Sequence, residues 1–221
     1  DPRTVTLLAD QLSSNSAAKI RAAIARRFAG LANQRGTWRA TIRSHTDMIV
    51  DRIKNDTDDG TRVALLIAIG NLRDTANLEH VLNYLDAKNS AIMRAAALRA
   101  LGRIYGAESL VLARRPVAPR LPKPDPGMVH RIAGLLADRD NGLDGAAAEA
   151  LTGLGQYAAA DLFEALKSSD AQVRTHAIIC LGRIGDKAAT LEVFAKMRRD
   201  ATSKGDREVL ARGVKFLEAL R

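Results

Sequence analysis

Residues 171–185 read AQVRTHAIICLGRIG, and this stretch decides the fold. Two other stretches repeat its pattern, AIMRAAALRALGRIYG at 91–106 and GTRVALLIAIGNL at 60–72. Each has an arginine in its first turn, followed seven residues later by Leu or Ile, then Gly, a variable residue, and Ile or Leu. A pattern that recurs within one chain indicates a repeat architecture, in which each copy is one structural unit.

The arginine of the pattern stands at equivalent positions in three copies: Arg62, Arg94 and Arg174. A weaker copy at 142–155 has Asp144 in the arginine position, and Arg21 and Arg207 mark copies towards the two ends. The long interval from Arg94 to Asp144 leaves room for an insert. Gly106 and Gly185 suit a left-handed exit from the repeated helix, because glycine adopts that conformation without a steric penalty.

A second apolar pattern precedes the repeated one. Leu78, Val81, Leu82 and Leu85 recur at spacings of three and four, which place them on one face of a helix. Each unit is therefore interpreted as helix A, a short polar turn and helix B. One pair cannot bury both apolar faces, but stacked pairs cover one another. The sequence predicts an all-α solenoid of about six antiparallel helix pairs, with residues 1–221 as a single domain.

The repeat resembles HEAT repeats, in particular the short form also found in phycobilisome lyases. The resemblance rests on residues of the 171–185 copy and its turn: Asp170, Val173, Arg174, Ala177, Leu181, Gly182 and Ile184. It implies a ladder in which turn residues pair with B-helix arginines of adjacent repeats. The acidic side would be Asp58, Ser90, Asp140 and Asp170, and the basic side Arg62, Arg94 and Arg174. Asp144 departs from the pattern, so an interruption of the ladder is expected there.

The net charge is +9 and the isoelectric point is about 10.1, which favours an acidic partner: a protein surface, nucleic acid or anionic lipid. The charge is uneven, since residues 1–54 carry ten basic and four acidic side chains, whereas 137–170 carry two and seven. The alternative interpretation is general solubilising charge.

The composition also limits which cellular compartment and which covalent cross-links are expected. No apolar stretch approaches the roughly 20 residues of a membrane span, and no signal-peptide core is visible. The single cysteine, Cys180, excludes an internal disulfide and fits a reducing compartment, so the cytoplasm is favoured. Because the chain begins at Asp1-Pro2 and not at Met, we expect a fragment or a processed product. A monomer is expected.

Five of the six prolines lie within a Pro-rich insert, residues 113–127, through which no helix is expected to run. Its basic residues are Arg114, Arg115, Arg120 and Lys123. Long loops of this kind are often functional. Two interpretations remain open: an arm that binds a partner, and a tolerated insertion.

Three arginines lie in B helices off the apolar stripe: Arg99, Arg103 and Arg183. Arg103 and Arg183 are equivalent, with Gly153 between them. They predict either a basic groove or solvated charge on an exposed face. Residues 35–54 are predicted as one long basic helix with Trp38, which would stack on a base, clamp a peptide, or pack against the adjacent connection.

The chain shows no pattern that carries chemistry. The four histidines are dispersed, no Cys/His spacing suits zinc, and there is no phosphate-binding glycine loop or nucleophile–His–carboxylate set. We therefore predict no metal, no cofactor and no catalysis, and a scaffold that binds a protein through its concave B-helix surface and the Pro-rich insert. Two alternatives stay open: a nucleic-acid-binding protein resembling HEAT-like DNA glycosylases, and a phycobilin lyase or chaperone-like factor.

Overall fold

A computed structural model of the chain describes residues 2–34, 37–114, 121–184, 191, 195, 198–199 and 204–219. Within these ranges the chain forms helices joined by turns, and no strand. It divides into two compact units, Asp1–Leu121 and Pro122–Arg221.

The first unit contains seven helices in its described residues: α1 (Pro2–Ser14), α2 (Ala18–Asn33), α3 (Thr37–Ser44), α4 (Thr46–Asn55), α5 (Asp59–Leu72), α6 (Leu78–Leu82) and α7 (Ala91–Arg114). The helices of the second unit are α8 (Pro126–Gly134), α9 (Leu143–Leu154), α10 (Ala159–Ala165), α11 (Ala171–Ile184) and α12 (Lys204–Ala219). Short 3₁₀ turns lie at Thr75–Asn77, Leu135–Ala137, Asp140–Gly142 and Gly155–Ala158.

The B helices α2, α5 and α7 pack side by side in the first unit, with α5 between the other two. Their fully buried side chains include Phe28, Leu65 and Leu98, and burial of such side chains is the main stabilising term of a helical stack. Gly70 lets α5 approach α7 closely. A Cβ atom at Gly70 would lie only 2.5 Å from the Cα of Ala100, so any larger residue would push the helices apart.

Short polar turns make neighbouring helices antiparallel. Residues 56–58 join α4 to α5, and the two helices pack together. The carboxylate of Asp58 accepts hydrogen bonds from the backbone amide and the hydroxyl of Thr61, each at 2.7 Å. Asp58 is therefore the N-cap of α5, and it satisfies a donor that the first turn of a helix leaves unpaired.

The second unit repeats this arrangement. α11 packs against α9, α10 and α12. Leu151 and Leu181 lie in its core together with Cys180, which is 1% exposed. Gly213 of α12 faces α11, where a Cβ atom would lie 2.9 Å from Cγ2 of Ile178. Glycine thus allows close packing of B helices in both units.

The prediction of one helix over 35–54 is wrong. The chain forms α3 and α4, which break at His45, where φ is −103° and ψ is 14°. The Ser44 hydroxyl donates to the carbonyl of Thr41 and the Thr46 hydroxyl donates to the carbonyl of Arg43, each at 2.8 Å. Such local bonds offer the backbone an alternative to the helical ladder, which explains a break at a Ser-His-Thr sequence.

The Pro-rich insert is shorter than its predicted bounds. α7 continues through Gly106, which is therefore not a helix end, and includes Ala113 and Arg114. At the other end Pro126 is the first residue of α8, a position where a missing N–H costs nothing. Asp125 caps α8 by accepting from the amide of Met128 at 2.7 Å. Residues 115–120 lie outside the described part of the chain.

Candidate functional site

Two repeat arginines, Arg62 and Arg174, bind the end of the preceding A helix or the turn after it. Nε of Arg62 donates to the carbonyl of Ile53 at 2.9 Å, and its Nη1 donates to Asp59 at 2.9 Å. Nη1 of Arg174 donates to the carbonyls of Ser168 and Ser169 at 2.6 and 2.8 Å. Ile53 lies in the last turn of α4, and Ser168 and Ser169 follow α10, so each of these two arginines links the end of an A helix to the B helix after it.

Nε of the third repeat arginine, Arg94, is buried, and no hydrogen-bond acceptor for it lies among the described residues. The same holds for Nε of Arg174, which forms its bonds through Nη1.

Arg21 and Asp56 form a buried pair that links α2 to the turn before α5. Nε and Nη2 of Arg21 donate to the two carboxylate oxygens of Asp56 at 2.7 and 2.8 Å, and the Asp56 side chain is 0% exposed. Nη1 of Arg21 also donates to the carbonyls of Asn15 and Ser16. The hydrogen bond from Arg21 lowers the pKa of Asp56, and the same bond raises the pKa of Arg21. The repeat register marked Arg21, but nothing in the sequence distinguished Asp56 from Asp58.

Asp144, the residue that departs from the pattern, connects α9 to α11. Its carboxylate accepts from Nε2 of Gln172 at 2.6 Å and lies 3.3 Å from Nε2 of His176. Burial raises the pKa of Asp144. Hydrogen bonds from the Gly145 amide, His176 and Gln172 lower the pKa by more than burial raises it, so the net shift is downward. The exception to the arginine pattern thus makes its own contact between consecutive B helices.

The acidic turn residues of the predicted ladder act mainly as caps. Asp58 caps α5, and Asp170 accepts from the amide of Gln172 at 2.8 Å. Asp170 also pairs with Arg139 at 3.1 Å, in an exposed position. Asp140 is exposed in its 3₁₀ turn. The pairing of these carboxylates with the repeat arginines remains a prediction.

The predicted partner-binding residues fall in several places. Trp38 is half-buried in α3, Arg99 and Arg103 are half-buried in α7, and Arg183 is exposed near the end of α11. Lys123 is exposed in the segment before α8. Arg115, Arg120 and the side chain of Arg114 lie outside the described residues.

One network that the sequence did not reveal centres on Asn71, which is 6% exposed at the end of α5. Its Nδ2 donates to the carbonyl of Ala29 in α2 at 2.7 Å. Its Oδ1 accepts from Nη1 of Arg103 at 2.6 Å, and its carbonyl accepts from Nη2 of Arg39 at 2.6 Å. Asn71 occupies the variable position of the 60–72 copy. Because that position differs between copies, the repeat pattern did not single out Asn71.

The residue that ends α5 is also unusual. Arg73 is its C-cap and adopts φ 51° and ψ 41°, and it is the one non-glycine residue with positive φ in the described chain. This left-handed conformation normally belongs to glycine. The C-cap of α9 is Gly155, which also has a positive φ, 62°, but its ψ of −133° lies outside the left-handed helical region.

Other kinds of site were sought among the described residues. They contain no group of three or more His, Cys, Asp or Glu side chains arranged to hold a metal ion. None of their helices has the length and apolar character needed to span a bilayer. The Cys180 thiol donates to the carbonyl of Ala148 at 3.3 Å, and burial raises its pKa, which suits a core residue and not a nucleophile.

Comparison with known families identifies the repeat. Residues 128–215 match the family model for HEAT repeats. This part of the chain carries HEAT-like repeats. The match runs from α8 into α12 and includes the 171–185 copy that carried the resemblance. Stacked helical repeats of this kind generally form surfaces for interaction with other proteins.

Solved structures confirm the all-α solenoid fold. An engineered protein from the Northeast Structural Genomics Consortium aligns over 98% of this chain and 97% of its own, with 18% identity and a TM-score of 0.56. A second engineered protein from that consortium aligns over 97% and 58%, with the same identity and TM-score. A designed armadillo repeat protein aligns over 96% and 98%, at 14% identity and TM-score 0.51. No curated protein matches the sequence.

Proposed function

We propose that this chain is a non-catalytic interaction module that binds an acidic segment of a protein partner. The binding surface would be the B-helix surface, which we define as the solvent-accessible side chains of Arg26, Ile67, Arg99 and Arg103. These residues lie on α2, α5 and α7, three consecutive packed helices.

The observation that carries this proposal is the absence of acidic residues from the B helices of the first unit. Beyond Asp59 in the first turn of α5, no Asp or Glu occurs in α2, in α5, or in residues 91–106 of α7. α9, by contrast, carries Asp144 and Glu149. A surface of one sign attracts a partner of the other sign and raises its association rate.

The B-helix surface also offers apolar area. Arg26, Ile67 and Arg99 each lie five residues after the repeat arginine of their helix, so they occupy equivalent positions in neighbouring repeats. Ile67 between two arginines supplies an apolar strip, and arginine stems extend it. An extended peptide that alternates acidic and apolar side chains would match this row.

The Pro-rich insert follows α7 directly and is proposed to extend the basic surface. It supplies Arg114, Arg115 and Arg120 by sequence, and Lys123 is exposed. Leu121 and Pro124 are buried, which fixes the end of the insert nearest to α8.

Nucleic acid is the second candidate, because the net charge of +9 favours any polyanion. Handling of single bases is not supported, since it uses aromatic stacking and the chain has 4% aromatic residues with one tryptophan, Trp38. The two candidate ligands are therefore an acidic peptide and the phosphate backbone of a duplex.

Fluorescence titration with a labelled oligoglutamate peptide and with short random duplex DNA tests the proposal. We expect micromolar binding of the peptide at low salt, and about tenfold weaker binding when Arg26 and Arg99 are both changed to Gln, a loss equivalent to about 1.4 kcal/mol. Arg131→Gln, an exposed arginine of α8, serves as the matched control and should have little effect.

Deletion of residues 115–120, which keeps α7, the Asp125 cap and the buried Leu121 and Pro124, is expected to weaken peptide binding without loss of helical circular dichroism. Unfolding on deletion would show that the insert is structural. Absence of peptide binding at low salt would contradict the proposal, and tight salt-dependent DNA binding without peptide binding would replace it with the nucleic-acid function.

A further inference from the structure

A small pocket, here called the α6 pocket, lies between α4, α5 and the end of α6. Its apolar walls are the buried side chains of Val50 and Ile53 from α4 and Leu66 from α5. Asn83 and Tyr84, which directly follow α6, line its other side. α6 has five residues whereas α4 has ten, so the pocket lies where the shorter A helix ends and stops covering the core.

The repeat arginine of α5 holds two walls of the α6 pocket in place. Nε of Arg62 donates to the carbonyl of Ile53 at 2.9 Å. Burial raises the pKa of Tyr84, and the charge of Arg62 and a hydrogen bond from it oppose that rise. One arginine therefore connects the end of α4 to the segment after α6. A pocket with walls that are fixed in advance binds a ligand without the cost of ordering them.

The size of the α6 pocket limits what can enter it. Its volume is about 40 Å³. A water-sized group needs roughly 10–15 Å³, so the pocket holds about three non-hydrogen atoms. The branched end of a leucine side chain, Cγ with its two methyl groups, has this size, whereas a phenyl or indole ring is too large. The apolar walls favour such a group over a polar one, which would lose its hydrogen bonds to water.

The rim of the α6 pocket favours a negative charge beside that apolar group. Lys54 and His80 lie at the rim, and no acidic side chain of the described residues lines the pocket. The closest acidic residues in α4 and α6, Asp51 and Glu79, are exposed, and Asp51 accepts from the side-chain amide of Asn55 at 2.8 Å. Within the described chain, Lys54 has no carboxylate at ion-pair distance. Its ammonium group therefore attracts an external carboxylate.

We propose that the α6 pocket binds a leucine side chain of a protein partner, while Lys54 binds the carboxylate of an acidic residue next to that leucine. No residue of the B-helix surface lines the α6 pocket, so this second site does not depend on the proposed function. A nucleic-acid duplex carries no branched aliphatic group, and the pocket therefore distinguishes a peptide from a duplex.

Two labelled peptides of equal charge test the inference in the full chain. One has a central leucine flanked by glutamates, and the other has serine in place of the leucine. The leucine peptide should bind about tenfold more tightly, because only its side chain loses apolar area to water. Val50→Phe fills the α6 pocket and should remove this preference while the affinity for the serine peptide stays unchanged.

A charge variant at the rim gives a second measurement that leaves the core intact. Lys54→Gln should weaken binding of the leucine peptide about threefold, and binding of the serine peptide less. Lys88→Gln is the matched control, because it removes an exposed charge of the same unit that does not line the pocket. It should change either affinity by less than about twofold.

Equal binding of the two peptides would mean that the α6 pocket holds only water, and would overturn the inference. So would a leucine preference that survives in folded Val50→Phe, or one that is lost instead when Arg26 and Arg99 are changed to Gln. If Val50→Phe loses its helical circular dichroism, Lys54→Gln decides, and a loss no greater than that of Lys88→Gln overturns the site.

The peptides also separate this inference from the proposed function. Binding of the leucine peptide at the α6 pocket without any binding of oligoglutamate would contradict the proposed function alone. Binding of oligoglutamate without a preference for leucine would contradict the α6 pocket alone.

Discussion

At the scale of single residues, the Arg21–Asp56 pair shows how a repeat protein connects neighbouring pairs of helices. Arg21 occupies the repeat position and binds both carbonyls of the preceding turn and the carboxylate of the next repeat. Asp56 also accepts from the amide of Asp58 at 2.9 Å. A buried charge is tolerated only when it is paired and hydrogen-bonded, and both conditions are met here.

The pair leads to a prediction on pH. The pKa of Asp56 is lower in the folded chain than in the unfolded one, so its contribution to stability is present above the unfolded pKa of about 4 and is lost as pH falls through the folded value. Asp56→Asn should lower the melting temperature near pH 7. The difference between the two proteins should shrink below about pH 4 in scans by circular dichroism.

The pKa of Asp144 is also lowered by folding, so Asp144 adds its own pH dependence to the stability. Because Asp144 is present in both the unmodified chain and the Asp56→Asn variant, its effect cancels in the difference between their melting temperatures. A difference in melting temperature that stays constant down to pH 2, about where a paired carboxylate becomes protonated, would show that the Asp56 charge does not matter.

Residue-level prediction from the sequence succeeded where a residue repeats and failed where it does not. Arg62 and Arg174 were identified by register; Arg62 binds the last turn of α4, and Arg174 binds the turn after α10. Asn71 was passed over because the pattern varies at that position, yet it is the residue on which three helices meet. A single buried amide leaves no periodic signal, so only its surroundings reveal it.

At the scale of elements, the approach of α5 to α7 depends on Gly70. The residue is buried, and its α-carbon faces the backbone of Ala100. Glycine inside a helix costs roughly 0.5–1 kcal/mol relative to alanine, so its presence here reflects packing and not helix propensity.

Gly70→Ala is therefore expected to destabilise the chain by about 1–3 kcal/mol, because the added methyl group must displace backbone and not a flexible side chain. Gly30→Ala in α2 is the matched control, since no atom lies within 4 Å of a Cβ there, and it should be neutral or stabilise by up to about 1 kcal/mol. Urea denaturation measures both. Equal effects of the two substitutions would argue against close packing at Gly70.

The division of residues 35–54 into α3 and α4 is also decided at this scale. Apolar spacing continues across His45, so the sequence favoured one helix. The hydroxyl groups of Ser44 and Thr46 bind nearby carbonyls and end the ladder between them. Arg39, which α3 positions, then reaches the end of α5.

At the scale of the whole molecule, the chain consists of two compact units that meet in sequence at Leu121–Pro122. In each unit, the apolar faces of the helices are buried against helices of the same unit. Stability in stacked repeats is approximately a sum over repeats and their neighbours, which allows part of a stack to fold separately.

We therefore expect residues 1–121, expressed alone, to be helical and to unfold cooperatively, with Phe28, Leu65 and Leu98 in its core. Far-ultraviolet circular dichroism during thermal unfolding is the measurement. A fragment that is helical but melts without a transition would show that the first unit needs the rest of the chain.

The sequence alone determined the repeat, the all-α class and the basic character, because these depend on periodic or summed properties that a linear pattern contains. Only the tertiary structure decided which acid pairs with Arg21, where residues 35–54 break, and that Arg39 and Arg103 both bind Asn71 at the end of α5. The break at His45 depends on local side-chain bonds that apolar spacing does not reveal. The other sites join residues 30 or more positions apart, and the chain repeats its packing positions but not its polar contacts.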